Sequence, residues 1–283
     1  SIYEVEKLII FDNHLHLKRD GRYLDAVDDF IKFGGTHFIL CQYPNPNLAL
    51  SNNSYKNIYL DTLKLVNEIE NKKNVKVFST IGPYPIDFLK FLEKLDRKKA
   101  IDLMKKGIDE AADFCNENEK FIGIGEIGRP HFKVSEEIIK NSNEILSYAM
   151  SVAKDINVPV ILHTETTTPK NCKEFVNMGK KVGLKADKIV KHFSPPLILE
   201  KENFGLMPSV LASKKNIVKA LKKGTRFMME TDYIDDLKRP GAVLGPKTVP
   251  KRTLSLLQKG IITEEEAIII HKKNPEKTYN ICL

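Results

Sequence analysis

The sequence predicts a single (β/α)8 TIM-barrel domain over residues 1–283. Eight short apolar runs recur along the chain, and segments with helical spacing lie between most of them. A length of 283 residues suits one such barrel. No Gly-rich phosphate loop follows the first run, which disfavours a doubly wound open sheet.

The predicted strands are, in chain order, KLIIFDNH, THFILCQY, VKVFSTIG, KFIGIGEIG, VPVILHT, KIVKHFS, FGLMPSV and RFMMETD. Short runs that are apolar on both faces are typical of parallel strands buried beneath helices. Helices are predicted at YLDAVDDFIKF, IDLMKKGIDEAADFCNEN and SEEIIKNSNEILSYAMSVAKDI. The first should end at Gly34 and Gly35, and TEEE at residue 263 opens the last helix as a capping box.

Composition narrows the class of protein. No apolar run approaches the roughly twenty residues of a membrane span, and no signal-peptide pattern is present, so we expect a cytoplasmic protein without a membrane partner. The net charge of +8 permits a polyanionic partner without requiring one, and no obligate protein partner is evident. Four scattered cysteines fit reduced thiols better than a disulfide framework: Cys41, Cys115, Cys172 and Cys282.

Polar side chains stand where the predicted strands end, and barrel enzymes carry their chemistry at that face. In a regular strand residues two apart share a face, so His14 and His16 should point together, in one row with Asp12. Phe11 and Leu15 should then lie on the other face. Four further candidate metal ligands follow strands four, five, six and eight: Glu126, His163, His192 and Asp232.

Together these six residues predict a centre for two divalent metal ions, with Zn, Mn, Fe, Co or Mg as candidates. Glu126 should bridge the ions, and His163 and His192 should complete the second site. The first site would take His14, His16 and Asp232. We expect metal-assisted hydrolysis with Glu126 and Asp232 as catalytic residues, in which Asp232 takes a proton from the acidified water and passes it to the leaving group.

These motifs resemble the TatD-type metal-dependent hydrolases of the amidohydrolase superfamily over nearly the whole chain. DNHLH is similar to that family's D-x-H-x-H opening, GEIG to its fourth-strand motif and ETD, at 230–232, to its eighth-strand motif. His163 and His192 fall at its fifth- and sixth-strand histidines, and HKKNPEKTYNI resembles its terminal helix. The resemblance implies a TIM barrel, a divalent-metal centre and hydrolysis, with DNA-directed phosphodiester cleavage as the best-known activity.

Three departures from the family pattern bear on the substrate. The turn IGPYP has Tyr84 where a histidine is usual, and Arg129-Pro130-His131 follows GEIG. Glu165 stands where an arginine suited to phosphate often occurs, and should repel a phosphate. HTE and KHFSPP are also similar to phosphotriesterase-related proteins, but those carry a bridging carboxylated lysine in place of Glu126.

Two long segments are predicted to be loops that contact the substrate. DYIDDLKRPGAVLGPKTVPKR follows strand eight and is rich in Gly and Pro. Its basic residues, with Arg129, should bind an anionic substrate: Lys238, Arg239, Lys247, Lys251 and Arg252. CQYPNPNLALSNNSYKN follows strand two and offers Tyr43 and Tyr55 for stacking on a nucleobase.

The substrate is therefore a nucleic acid or a small molecule, and several functions stay open. The first is a TatD-like phosphodiesterase or deoxyribonuclease. Glu165 favours an alternative on the same metal centre: a lactonase, a cyclic amidase or a phosphotriesterase-like hydrolase. A polymerase-associated phosphoesterase of the PHP type also begins with H-x-H but would need more metal-binding histidines. The basic surface would suit a non-catalytic nucleic-acid-binding protein, for which a six-residue centre has little use.

Overall fold

The computed structural model describes residues 7–283, so the first six residues of the predicted domain lie outside it. Within this range nine parallel strands form one curled sheet in which β1 to β8 are neighbours in chain order. They are β1 (Phe11–His16), β2 (His37–Cys41), β3 (Lys76–Ile81), β4 (Phe121–Gly128), β5 (Val160–His163), β6 (Ile189–Ser194), β7 (Met207–Leu211), β8 (Met228–Glu230) and β9 (Tyr233–Ile234). The strands alternate with helices, which confirms the TIM-barrel prediction, and each of the eight predicted runs overlaps a strand.

The ninth strand was not predicted: the last predicted run, RFMMETD at 226–232, contains β8 and ends in a break at residues 231–232, and β9 follows that break. β8 pairs with β7, whereas β9 pairs with β1 on the opposite side of the sheet. At the break the backbone N–H of Asp232 donates to the carbonyl of His14 at 2.9 Å. The barrel therefore closes at Asp232, directly beside the first strand.

Helices flank the sheet: α1 (Leu24–Lys32), α2 (Pro46–Asn52), α3 (Lys56–Lys72), α4 (Pro85–Leu92), α5 (Arg97–Glu117), α6 (Glu136–Ile156), α7 (Pro169–Val182), α8 (Glu200–Asn203), α9 (Lys214–Lys223), α10 (Thr248–Gln258), α11 (Glu264–Ile268) and α12 (Asn274–Tyr279). The predicted helices correspond to α1, α5 and α6, and the predicted capping box opens α11. There the Thr263 hydroxyl accepts from the N–H of Glu266 at 3.1 Å, and the Glu266 carboxylate accepts from the N–H of Thr263 at 3.0 Å.

Two corrections concern the predicted loops. The segment after β2 contains α2, whose N-terminus Asn45 caps by accepting from the N–H of Leu48 at 3.2 Å. The segment after β8 contains β9 and is then irregular only as far as Lys247, because α10 begins at Thr248. The basic residues of that segment are therefore divided between a loop and a helix.

The barrel interior is filled by apolar side chains that different strands contribute, including Phe11, Ile39, Ile122, Ile161 and Val190. Larger clusters fill the space between the strands and the outer helices. Such a packed interior leaves the ends of the strands as the place where a pocket can form.

The alternation predicted for β1 is wrong at one point. Phe11 packs in the barrel interior, whereas Leu15 packs outside with α1, so the two side chains do not share a face. The pairing with β2 shifts register between Asp12 and Leu15, and an irregularity of this kind re-aims the side chains that follow it. His14 and His16 nevertheless point into the same site, as described below.

Within residues 7–283 no helix has the length and apolar character needed to cross a membrane. All four cysteines are free thiols.

Candidate metal centre

A pocket of about 180 Å³ opens at the carboxyl ends of the strands. The structure brings the six predicted ligands together here. Five of them line the pocket, and His14 lies beneath them with 1% of its surface exposed. The lining comprises His16, Tyr43, Pro44, Tyr84, Glu126, His163, His192, Asp232, Ile234 and Arg239.

Glu126 lies at the centre of the cluster and its two carboxylate oxygens face different histidines. Oε2 is 3.6 Å from His14 Nε2 and 3.4 Å from His16 Nε2. Oε1 is 3.0 Å from His192 Nε2 and 3.2 Å from His163 Nδ1. One carboxylate thus divides four imidazoles into two pairs, an arrangement suited to a bridging ligand.

Asp232 completes the edge of the site that His14 and His16 form. Its Oδ1 lies 3.6 Å from His14 Nε2 and 3.7 Å from His16 Nε2. Three groups of side chains place their ligand atoms close enough together to hold an ion: His14, His16 and Glu126; Glu126, His163 and His192; and His14, His192 and Asp232.

The donor set fits a metal ion. His14 Nε2 is buried and has no hydrogen-bond partner, although two carboxylate oxygens lie 3.6 Å away. That distance is too long for a hydrogen bond, but ligand atoms held tetrahedrally at about 2.1 Å from one ion are roughly 3.4 Å apart. Among residues 7–283, no lysine or arginine nitrogen lies within 4.0 Å of the buried carboxylates of Glu126 or Asp232, which leaves a bound cation to balance their charge.

Burial and charge set the protonation states of these groups. Burial disfavours the Glu126 carboxylate, but His192 and His14 outweigh it and hold the Glu126 pKa well below its usual value. Burial also disfavours the His192 cation, but Glu230 and Glu126 raise the His192 pKa to about 10. A metal ion that binds His192 must therefore displace this proton.

For two other groups, burial has the larger effect on the pKa. Burial lowers the pKa of His163 to about 4 despite Glu126, which keeps its imidazole neutral and able to ligate. Burial also raises the pKa of Asp232, against the opposing effect of the histidines. A carboxylate of raised proton affinity suits a proton acceptor.

Buried carboxylates behind the site orient its ligands. Glu230 Oε2 accepts from His192 Nδ1 at 2.9 Å, which aims Nε2 of that ring at Glu126. Asp12 does not face the pocket. It accepts from the Thr231 hydroxyl at 2.6 Å and from the N–H of His14 at 3.2 Å, and so ties β1 to the break in the last strand.

Two residues at the site escaped the sequence prediction. The Tyr84 hydroxyl lies 3.3 Å from His163 Nε2, and His131 Nδ1 lies 2.9 Å from the same nitrogen. Both follow strand ends, which is the signal that could have identified them. The prediction from the sequence described Tyr84 only as a departure from the family motif and assigned no role to His131.

Arg129 does not reach the pocket, although the sequence predicts that it binds substrate. It is 3% exposed, and its Nε donates to Glu165 Oε2 at 3.2 Å. Its Nη1 donates to Glu174 Oε1 at 2.7 Å, and the guanidinium stacks 4.5 Å from the Phe175 ring centroid. The Glu165 carboxylate is therefore neutralised by Arg129 and does not act as the free repelling charge that we expected.

The basic cluster predicted after strand eight does not assemble at the site. Arg239 alone of its residues lines the pocket. Lys247 and Lys251 lie over the Phe33 ring at 5.6 and 5.4 Å, and Arg252 Nε donates to the carbonyl of Ala212. The start of α10 at Thr248 carries the later residues away from the pocket. Lys238 is exposed beside Arg239 and does not line the pocket.

The two tyrosines expected to stack on a base differ in position. Tyr43 lines the pocket, with its ring 5.8 Å from that of His16 and the Lys18 ammonium 4.1 Å from its centroid. Tyr55 is 0% exposed, and its hydroxyl donates to Asp87 Oδ2 at 2.7 Å. The prediction for Tyr55 is wrong because the chain around it folds into the core.

Comparison of the whole chain with models of known protein families gives a match that agrees with the order of the candidate ligands along the sequence. A family model described as "TatD related DNase" matches residues 11–280. The chain belongs to this family. It is therefore a hydrolase of the TatD family.

Individual relatives extend this result. An uncharacterized protein of Methanocaldococcus jannaschii, MJ1127, is 39% identical over 99% of this chain and 98% of its own. The phosphotriesterase homology protein of Escherichia coli, solved with phosphate in its active site, has a TM-score of 0.65 at 14% identity and covers 97% of this chain and 99% of its own. A TatD-family hydrolase of Entamoeba histolytica has a TM-score of 0.58 at 15% identity, with 96% and 99% covered. The two solved structures share the fold.

Proposed function

We propose that this TatD-family hydrolase is a phosphodiesterase that cleaves DNA and uses two divalent metal ions. The observation that carries the proposal is the Glu126 carboxylate, whose two oxygens each face a different pair of histidines. Zinc, manganese, iron, cobalt and magnesium are the candidate ions. A divalent ion held there would lower the pKa of a water and polarise the phosphoryl oxygen.

The chain's own residues supply the remaining steps. Asp232 takes the proton from the attacking water, for which its raised proton affinity is suited, and delivers it to the leaving oxygen. Glu230 keeps His192 oriented, and Tyr84 and His131 do the same for His163. Arg239, on the pocket wall, donates through Nε to Asp236 Oδ2 at 3.1 Å and offers its two terminal nitrogens to the phosphate oxygens.

The comparisons support a phosphate ester as substrate. The family model is described as a DNase, and the related fold from Escherichia coli holds phosphate in its active site. The basic character of the chain also suits a nucleic acid. The cytoplasmic location expected from the sequence stays a prediction.

One observation favours a second candidate, a lactonase or phosphotriesterase-like hydrolase on the same centre. Glu165 and Glu174 occupy Arg129, so Arg239 is the lone arginine or lysine among the residues that line the pocket. A site with one cationic side chain also suits an ester of low charge. One solved structure of similar fold, with a TM-score of 0.63 at 12% identity, concerns a weak promiscuous lactonase template.

A substrate panel separates these functions. The protein is assayed with bis(p-nitrophenyl) phosphate, p-nitrophenyl phosphate, short single-stranded DNA and a lactone, each with manganese, zinc, cobalt or magnesium. We expect cleavage of the diester and the DNA. Turnover should fall at least about 100-fold in Asp232→Asn because the proton acceptor is lost, while at least one metal ion stays bound.

The other outcomes are equally informative. Lactone turnover without diester cleavage assigns the second candidate. DNA binding that is tight and salt-sensitive, with no turnover of any substrate, would indicate a non-catalytic binding protein. Full turnover in Asp232→Asn would eliminate Asp232 as the proton acceptor.

A further inference from the structure

We propose that Phe193, assisted by Phe132, is a substrate-binding residue that stacks on the nucleobase next to the scissile phosphate. The inference rests on the proposed phosphodiesterase function and adds a specificity-determining surface outside the metal pocket. Neither phenylalanine lines that pocket.

The size of the pocket requires such a surface. Its volume is about 180 Å³, below the roughly 300–1,000 Å³ of pockets that enclose a whole small-molecule ligand. The space at the metal ligands therefore admits the reacting phosphate group and leaves the rest of a nucleotide outside. That remainder would contact the surface around the pocket.

Aromatic rings connect the rim to the metal ligands. Phe132, His131, His163, His192 and Phe193 form a continuous row, with successive ring centroids 5.1, 5.0, 5.8 and 6.0 Å apart. The third and fourth rings, His163 and His192, are candidate metal ligands. The two end rings are exposed, Phe132 by 45% and Phe193 by 47%. A planar group attached to a phosphate at the centre would therefore find an exposed aromatic ring close by.

The backbone conformation of Phe193 is the strongest support for a role in binding. Its φ angle is +54°, a left-handed conformation that β-carbon sterics disfavour for bulky side chains and that glycine and asparagine adopt more readily. It is also the one exposed residue of β6, whose other five are buried. The fold thus holds a large apolar ring in a strained conformation and gains little burial from it. Strain kept at the edge of a site is evidence of function.

A nucleobase is the occupant that these features favour. Every base has a π-face that stacks on an exposed aromatic ring, and such stacking is usually combined with basic side chains that meet the phosphates. Arg239 lies on the wall of the same pocket, and the chain carries a net charge of +8. An aliphatic substituent would instead be expected to bind in an enclosed apolar channel.

The test measures binding of a short single-stranded oligonucleotide that carries the fluorescent base 2-aminopurine. The host protein is Asp232→Asn loaded with zinc, so that the strand stays intact. Phe193→Asn removes the ring with a residue that tolerates the left-handed conformation, and Phe193→Tyr keeps the ring. Leu60→Asn is the matched control, because Leu60 is 43% exposed on α3, away from the pocket.

We expect 2-aminopurine fluorescence to be quenched on binding to the host protein and to Phe193→Tyr. In Phe193→Asn the quenching should be lost and the affinity should fall about 5- to 100-fold. A strand with an abasic residue at that position should bind the host and Phe193→Asn equally well. The melting temperature of Phe193→Asn should equal or exceed that of the host, because the strain is relieved.

Two results would overturn the inference. One is an equal loss of affinity for the intact and the abasic strand, which would mean that Phe193 supports the fold or the strand backbone. The other is unchanged affinity and quenching in Phe193→Asn. Failure of the proposed function would look different, since the wild-type protein would then not cleave the oligonucleotide at all.

Discussion

The chemistry of each residue at this site depends on its surroundings as well as on its residue type. Glu126 is buried, and among the described residues the only basic side-chain nitrogens within 4.0 Å of its carboxylate are those of histidines, so it suits a cation between two imidazole pairs. Arg129 is the opposite case. Its type predicts phosphate binding, but Glu165 and Glu174 occupy its donors. A sequence cannot reveal this, because the partners lie 36 and 45 residues away.

Replacement of Glu126 by Gln keeps its shape and removes its charge. We expect bound metal to fall by at least half, since both halves of the site lose their common ligand. Elemental analysis of protein dialysed against a defined metal concentration measures this. Asp232→Asn serves as the control and should keep at least one ion, and equal metal content in wild type and Glu126→Gln would contradict the bridging role.

Arg129 and Arg239 form a matched pair for a second test. Arg129→Met should lower the free energy of unfolding by about 1–3 kcal/mol, because it leaves two half-exposed carboxylates unpaired. Its KM for a small diester should stay within about twofold of the wild-type value, as no substrate contact is lost. Arg239→Met should show the reverse, with unchanged stability and a raised KM. A raised KM in Arg129→Met at constant stability would restore the phosphate-binding prediction.

At the scale of elements, local pattern predicts which segments are strands and helices but not how irregular segments pack. Buried parallel strands and amphipathic helices repeat apolar residues at fixed spacing, so all eight strands could be predicted. α2 could also have been predicted, because Asn45 and Pro46 form a usual helix start. The burial of Tyr55 depends on Asp87, which lies 32 residues later in α4. No local signal carries such a contact.

The contact of Tyr55 with α4 predicts a pH dependence of stability. Burial raises the pKa of Asp87 to about 7, although hydrogen bonds from Tyr55 and Tyr84 oppose it. The folded state then binds more protons than the unfolded state between pH 4 and 7, so stability falls as pH rises through that range. The rise from the ordinary pKa of 3.8 to about 7 corresponds to a loss of roughly 4 kcal/mol in the free energy of unfolding across that range.

Asp87→Asn removes the titrating group and should flatten this part of the profile. Denaturant unfolding of wild type and variant at several pH values measures the difference. An identical pH profile for both proteins would show that Asp87 is ionised throughout.

At the scale of the whole molecule, the candidate centre joins distant parts of the chain. His14 and His16 come from the first strand, Glu126 from the fourth and Asp232 from the break that closes the barrel. A metal ion bound by these residues would hold the folded barrel together, because the unfolded chain has no such site. The barrel predicted from the sequence implies which strands are neighbours. The pairing of β9 with β1 could not be predicted, because it is a long-range contact.

Metal binding should therefore stabilise the protein measurably. An ion at about 100 times its dissociation constant contributes about 2.7 kcal/mol, which corresponds to a rise of roughly 5–10 °C in melting temperature for a chain of this size. Thermal unfolding after chelation and after zinc addition measures the rise. Glu126→Gln should show a much smaller rise, and an equal rise in both proteins would place the stabilising ion elsewhere.

The break at Asp232 has a consequence for the order in which the protein acquires activity during synthesis. A nascent chain that has emerged through β6 already holds Glu126 and the four histidines of the candidate centre, but not Asp232, at which the barrel closes. Under the proposed mechanism it has no proton acceptor until the final strand docks on the first. Hydrolysis then begins only in completed molecules, so an unfinished chain still on the ribosome could not cut the nucleic acids around it.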